Sequence, residues 1–167
     1  MSHRAAFLQA VEKRLGFPVL WGQKGPDAFD CSGLVTRSLL DVGGPDLTQL
    51  ENAQALHDHT RALGAEPSDI QLPGDLVFYG LYEAVAPSPE NLAPEPRLHV
   101  IHVAICDEFG GVVSADGATS AIKSLSVALA NPANRVRRHN TIRFRRDTPY
   151  VVCHRNTLVD QLDQVSR

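Results

Sequence analysis

Residues 22–42 read GQKGPDAFDCSGLVTRSLLDV, and the change of pattern at Cys31 in the middle of this stretch decides how the rest of the chain is read. Two glycines and a proline mark 22–30 as a loop, after which Leu34, Val35, Leu39 and Leu40 recur at helical spacing until GGPD (43–46) breaks the run. Cys31 therefore opens a helix. A thiol there faces free N–H groups and the positive end of the helix dipole, and both favour thiolate, the nucleophilic form. Ser32 and Gly33 are small, which predicts room for a substrate backbone and backbone N–H groups left over as oxyanion donors. Asp30 reads equally as the N-cap of this helix and as a group that gathers basic parts of a substrate. Position alone also allows the plainer reading of Cys31, a small buried residue at the start of an apolar helix.

Working outward, Phe7, Leu8, Val11 and Leu15 predict an amphipathic helix over 4–15, closed by Gly16 and Pro18. Leu47 to Leu63 reads as a polar surface helix with His57 and His59 on its solvated face. DLVFYG (75–80) is the first clear strand, with Asp75 at its turn. Residues 81–97 hold four of the eleven prolines and read as an exposed insertion without a core of its own. LHVIHVAIC (98–106) and GVVSA (111–115) predict one hairpin, and TIRFRR (141–146) with YVVCH (150–154) a second. Helices first and a mostly antiparallel sheet after them define an α+β domain spanning 1–167.

The composition narrows the function classes. With 43% hydrophobic and 21% charged residues the chain is ordinary globular material, and a formal charge of −3 gives no general attraction to nucleic acid or to an anionic membrane. Cys31, Cys106 and Cys153 show no metal-ligand or disulfide spacing, so three thiols and no metal are expected. No apolar segment precedes Glu12, Lys13 and Arg14 as a signal peptide requires, and no stretch is long enough to span a bilayer; synthesis in the cytoplasm is the expectation.

A cysteine nucleophile needs an imidazole. His3 is terminal. His99 and His102 share one strand, where an odd separation predicts opposite faces, so at most one of them meets the thiol. His139 and His154 stay open. The residues alone leave three places for the partner.

The segments LWGQKGPDAFDCSGLV (20–35), QLPGDLVFYG (71–80) and HVAI (102–105) resemble, in order, the signature blocks of the NlpC-type cell-wall peptidases of the papain-like superfamily. The resemblance implies Cys31 as nucleophile, His102 as general base, a papain-like α+β fold with the cysteine helix packed on the sheet, and no cofactor. It also implies a peptidoglycan stem peptide as substrate, often cut between D-glutamate and a diamino acid. Relatives commonly place a polar residue, often His, twelve positions after the catalytic His; here that residue is Ser114, with Asp116 two further on as the carboxylate alternative. Relatives with D-glutamyl specificity also tend to have Tyr two residues before the Trp of the first block, where this chain has Val19. Trp21 is expected to pack beneath the nucleophile loop, with ligand stacking as its other role. Arg135, Arg137, Arg138, Arg143, Arg145 and Arg146 form the one basic concentration, read as a solvated face or a contact for an anionic wall polymer. A phage-like context, tail-associated or lytic, is the expected route to the wall, with delivery by a secretion machine or release on lysis as the other routes. The competing functions are a Cys/His amidase or acyltransferase on another substrate, and a weakly catalytic binding module of a phage tail.

Overall fold

The computed structural model describes residues 1–117 and 122–165. Five helices, α1 (His3–Glu12), α2 (Cys31–Asp41), α3 (Ala53–Ala62), α4 (Leu125–Ala130) and α5 (Thr157–Val165), surround five strands: β1 (Leu76–Glu83), β2 (Arg97–Cys106), β3 (Val112–Ala115), β4 (Val136–His139) and β5 (Tyr150–His154). The strands form one antiparallel sheet in the order β4-β3-β2-β1-β5. This is the α+β architecture the sequence predicts.

The main core joins helices to sheet. Phe7 and Val11 of α1, Leu34, Val35 and Leu39 of α2 and Leu56 of α3 bury against Leu76, Phe78, Val100, Val103, Ile105 and Val113. Removing such side chains from water is worth about 1.5–3 kcal/mol each, so the α2 stripe anchors the helix that begins with Cys31. Asp75, wholly buried, accepts bonds from Arg4 and Arg155 at 2.7 Å each and from the Asn156 N–H at 3.1 Å, tying α1 and the start of α5 to the first strand.

The second hairpin does not form. β4 pairs with β3 and β5 pairs with β1, at opposite edges of the sheet, so residues 140–149 must cross from one edge to the other. Ile142 and Phe144 still bury apolar surface, but against the second cluster of Val77, Tyr79, Ala104, Cys106, Val112 and Cys153 rather than in a strand. The Tyr79 hydroxyl donates to the Ile142 carbonyl at 2.6 Å and fixes the crossing.

Other boundaries move as well. α1 ends at Glu12, short of the predicted 15, and α3 begins only at Ala53, where the Asn52 side chain accepts from the Ala55 N–H. His57 is buried rather than solvated, edge-on to Phe78 with ring centroids 5.0 Å apart. β1 and β2 extend as a ladder to Glu83↔Arg97, so the ends of the Pro-rich insertion are strand and its middle is exposed. Helices α4 and α5 have no counterpart in the sequence reading.

One irregularity positions the site. The β1–β2 register shifts between Tyr79, opposite His102, and Gly80, opposite Val100, leaving Ile101 as the extra residue of a bulge. A Cβ on Gly80 would lie 2.7 Å from the His99 carbonyl oxygen, so only glycine fits. Val100 and Val103, three apart, therefore both enter the main core. The same reset puts His99 and His102 on one side of the sheet, contrary to the parity expectation. What separates them is depth: His99 is exposed beside Glu83 and His102 is buried. Among the described residues no helix is long and apolar enough to cross a membrane.

Candidate active site

The start of α2 is built around Asp30. Its carboxylate accepts from the Gly33 N–H at 2.6 Å and from the Ser32 hydroxyl at 3.1 Å, which makes it the N-cap. Lys24 Nζ lies 3.0 Å from the same carboxylate and 2.7 Å from the Ser32 hydroxyl. The Asp30 side chain is thus committed within the protein. Ser32, expected among the substrate-binding residues, is fully buried, so its side chain lies inside the protein and not on a surface open to a substrate. Gly33 is needed for another reason than predicted: a Cβ there would sit 2.2 Å from the Gln23 carbonyl oxygen, and its N–H is already taken by Asp30. The backbone N–H groups of Cys31 and Ser32 stand in the first turn of α2, where the helix itself offers them no carbonyl.

His102 and Cys31 line the same cleft, close enough that the charge of each acts on the other. On its other side His102 Nε2 is 2.6 Å from Ser114 Oγ, whose hydroxyl donates to Asp116 Oδ1 at 2.8 Å; Nε2 is itself 3.4 Å from that oxygen. With a proton on Nε2 every donor and acceptor in this chain is satisfied, and Nδ1 is left for the thiol. Ser114 and Asp116 thus act on one imidazole together: the hydroxyl passes the field of the carboxylate to the ring.

The electrostatics follow from this arrangement. Burial pushes the His102 imidazole down, but the Cys31 thiolate and Asp116 outweigh it and raise it to about 9. Burial likewise pushes the Cys31 thiol up, and the charge and hydrogen bond of His102 with the Val103 N–H bring it below its ordinary value. Asp116 is raised by burial and lowered more by His102, His139 and Ser114, which together hold it well below the usual carboxylate range.

A cleft of about 250 Å³ opens onto the pair, walled by Trp21, Ile101, Ala115, Gly117 and Arg145. Trp21 is 61% exposed, so it forms cleft wall and does not pack beneath the loop. Val19, two residues earlier, is wholly buried in the main core. A larger hollow of about 370 Å³ beside Lys13, Arg14 and Asp41 has neither thiol nor imidazole in its lining.

Sequence reasoning missed three neighbours. His139, weighed as a partner for the thiol, instead bonds Asp116 through Nε2. Phe144 stacks on His139, and Arg145 reaches the cleft while paired with Asp147 at 2.9 Å. Phe144 and Arg145 were signalled by the RFRR run, whose basic cluster disperses on folding. Arg135 binds the carbonyls of Ala128 and Leu129 at the end of α4, and Arg138 pairs with Glu12 and Asp107. His154 lies in β5, away from the thiol, beside His57 and Phe78. Cys106 and Cys153 are buried thiols with sulfurs 3.9 Å apart.

Residues 16–87 match the model of the NlpC/P60 family. The chain is 34% identical over 86 residues to "Probable endopeptidase p60" of Listeria grayi, covering 49% of this chain and 15% of that protein. It is 40% identical over 80 residues to "Probable endopeptidase Mb2213c" of Mycobacterium bovis, covering 46% of this chain and 18% of that one. The chain thus spans less than a fifth of either relative. In fold it is similar to the NlpC/p60 domain of the peptidoglycan hydrolase SagA, with a TM-score of 0.53 and 24% identity over 89% of this chain and 97% of that domain.

Proposed function

We propose that this chain, an NlpC/P60-type domain by its signature and its fold, is a cysteine endopeptidase acting on the stem peptides of peptidoglycan. The observation that carries the reading is a thiol at a helix start and an imidazole backed by Ser114 and Asp116, both lining one open cleft. The Cys31 thiolate attacks the scissile carbonyl carbon, and the developing oxyanion meets the N–H groups at the start of α2. As the C–N bond breaks, the His102 imidazolium gives its proton to the leaving amine, and a thioester remains on Cys31. His102 then takes a proton from water, whose oxygen displaces the sulfur and releases the new carboxylic acid. Ser114 and Asp116 hold the ring and stabilise its charged form throughout.

The finer reading is cleavage after D-glutamate, before a diamino acid. Arg145 supports it, because its Nε and Nη2 face Asp147 while the side chain lines the cleft, a cation suited to the free carboxylate of a glutamyl residue. With Val19 in the core, the tyrosine of the D-glutamyl relatives has no equivalent at that position, so the amine end of the peptide must be met elsewhere.

Incubation with purified muropeptides, read by mass spectrometry, tests both levels. The expected result is stem-peptide cleavage that disappears in Cys31→Ala and His102→Ala. Arg145→Gln should raise KM about tenfold for a peptide with a free glutamyl carboxylate and leave the amidated peptide unchanged. Cleavage that survives Cys31→Ala, or binding with no cleavage by the unmodified protein, overturns the peptidase.

A further inference from the structure

Asp116 lies just beyond the last pair of the β3–β4 ladder, Ala115 with Val136, so its side chain must be held by other side chains. It is 12% exposed, and a carboxylate that buried needs a donor on each oxygen. Oδ1 accepts from Ser114; Oδ2 accepts from His139 Nε2, with Arg137 Nε farther off at 3.9 Å. The ladder sets His139 opposite Val112 and Arg137 opposite Ser114, which puts these side chains on the Asp116 side of the sheet.

His139 is itself clamped. The Phe144 ring stacks on it with centroids 3.8 Å apart and planes 8° from parallel. Phe144 also stands edge-on to Tyr79 at 5.3 Å and to His102 at 6.1 Å. The cross-sheet connection thus presses one aromatic ring against both imidazoles at the ends of the chain His102, Ser114, Asp116, His139. An ordinary surface ion pair would not be roofed in this way, nor would its carboxylate be buried.

We propose that His139, flattened by Phe144, is a positioning residue that fixes Asp116 so that Ser114 can carry the carboxylate's charge to His102. This rests on the Cys31–His102 reading and adds a fifth side chain to Cys31, His102, Ser114 and Asp116, from a strand outside the signature blocks. Removing His139 leaves Oδ2 without its donor, frees Asp116 to rotate away from Ser114, and weakens the imidazolium that holds Cys31 as thiolate. The charged and titratable groups facing this array and its thiol are Cys31 from α2, Asp30 just before it, Tyr79 from β1, Arg137 from β4, and Arg145 and Asp147 from the connection.

The test is the pH dependence of iodoacetamide alkylation at Cys31, located by mass spectrometry on the Cys31 peptide, in the full chain and its variants. In the unmodified protein Cys31 should react well below the pH at which a free cysteine does. His139→Ala should shift that profile up by about one pH unit, and His139→Gln, whose amide can still donate to Asp116, should restore most of it. Asp116→Asn should shift it at least as far, and the double variant no further than Asp116→Asn alone, because both changes break the same link. On the stem peptide, His139→Ala should lower kcat about tenfold with KM unchanged. A His139→Ala profile that overlays the unmodified one, or shifts that simply add in the double variant, overturns the role of His139 and leaves the Cys31–His102 pair standing. A Cys31 that reacts like free cysteine in the unmodified protein overturns the pair, and the role of His139 with it.

Discussion

His102 and His154 are two buried imidazoles on strands that both flank β1, 6% and 1% exposed, opposite Tyr79 and Leu76 respectively. Their chemistry diverges because of what each ring touches. His102 has a thiol on one side and a hydroxyl backed by a carboxylate on the other, and is raised to about 9. Among the described residues His154 has no hydrogen-bond partner on either nitrogen, and burial with His57 and Arg61 nearby pushes it down to about 4. Burial alone makes a histidine a neutral, inert core residue. A base in the interior has to be assembled from acidic groups set against the ring, and of these two rings His102 is the one that has them, in Ser114 backed by Asp116.

The largest expected effect comes from breaking the assembled side. His102→Ala should lower kcat on stem peptides by about 10³-fold or more, as loss of a residue that acts as a unit with the nucleophile does. Asp116→Asn keeps the shape but removes the charge behind Ser114, and a fall of about 10²-fold in kcat is expected, measured on the same peptide. The inert side is read in stability rather than rate. His154 has a folded pKa below its unfolded value of 6.5, so the unfolded chain takes the proton first. Its contribution is complete above pH 6.5 and is lost as pH falls through 4, roughly 3 kcal/mol by urea unfolding, and His154→Phe should flatten that loss. His102 has the opposite sign: its folded pKa is raised, so its contribution is present below pH 6.5 and lost as pH rises through 9. The smallest effect is at His99, exposed beside Glu83, where His99→Ala should change stability by less than about 0.5 kcal/mol and kcat hardly at all.

The parts of the molecule legible in the sequence are those written locally. Cys31 at a helix start follows from loop residues, an N-cap and a periodic apolar run within twenty residues, and the fold class follows from the order of such runs. His102 was chosen by resemblance, since the residues themselves left three places for the imidazole. Strand parity failed because a bulge resets it, and the only local trace of the bulge is Gly80. Residues 141–146 have alternating apolar side chains whether they form a strand or cross a sheet face; only the pairing of β4 and β5 with opposite edges decides between them. His57 looked solvated because its helix is polar, yet its ring is the one that packs on Phe78. Phe144 and Arg145 reach the site through that crossing and His139 from the end of β4 just before it, placements set by long-range pairing. Ser114, which looks like a weak substitute when considered alone, gains its meaning from an aspartate two residues away.

The contrast between the two rings can be measured in one sample. A titration of the histidine ring Cε1–Hε1 signals by NMR from pH 3 to 10, with His102→Gln and His154→Phe providing assignments, follows both at once. The expected result is a midpoint near 9 for His102 and near 4 for His154. Two midpoints near 6.5, or His102 titrating below His154, would contradict an interior base built by the thiol, Ser114 and Asp116.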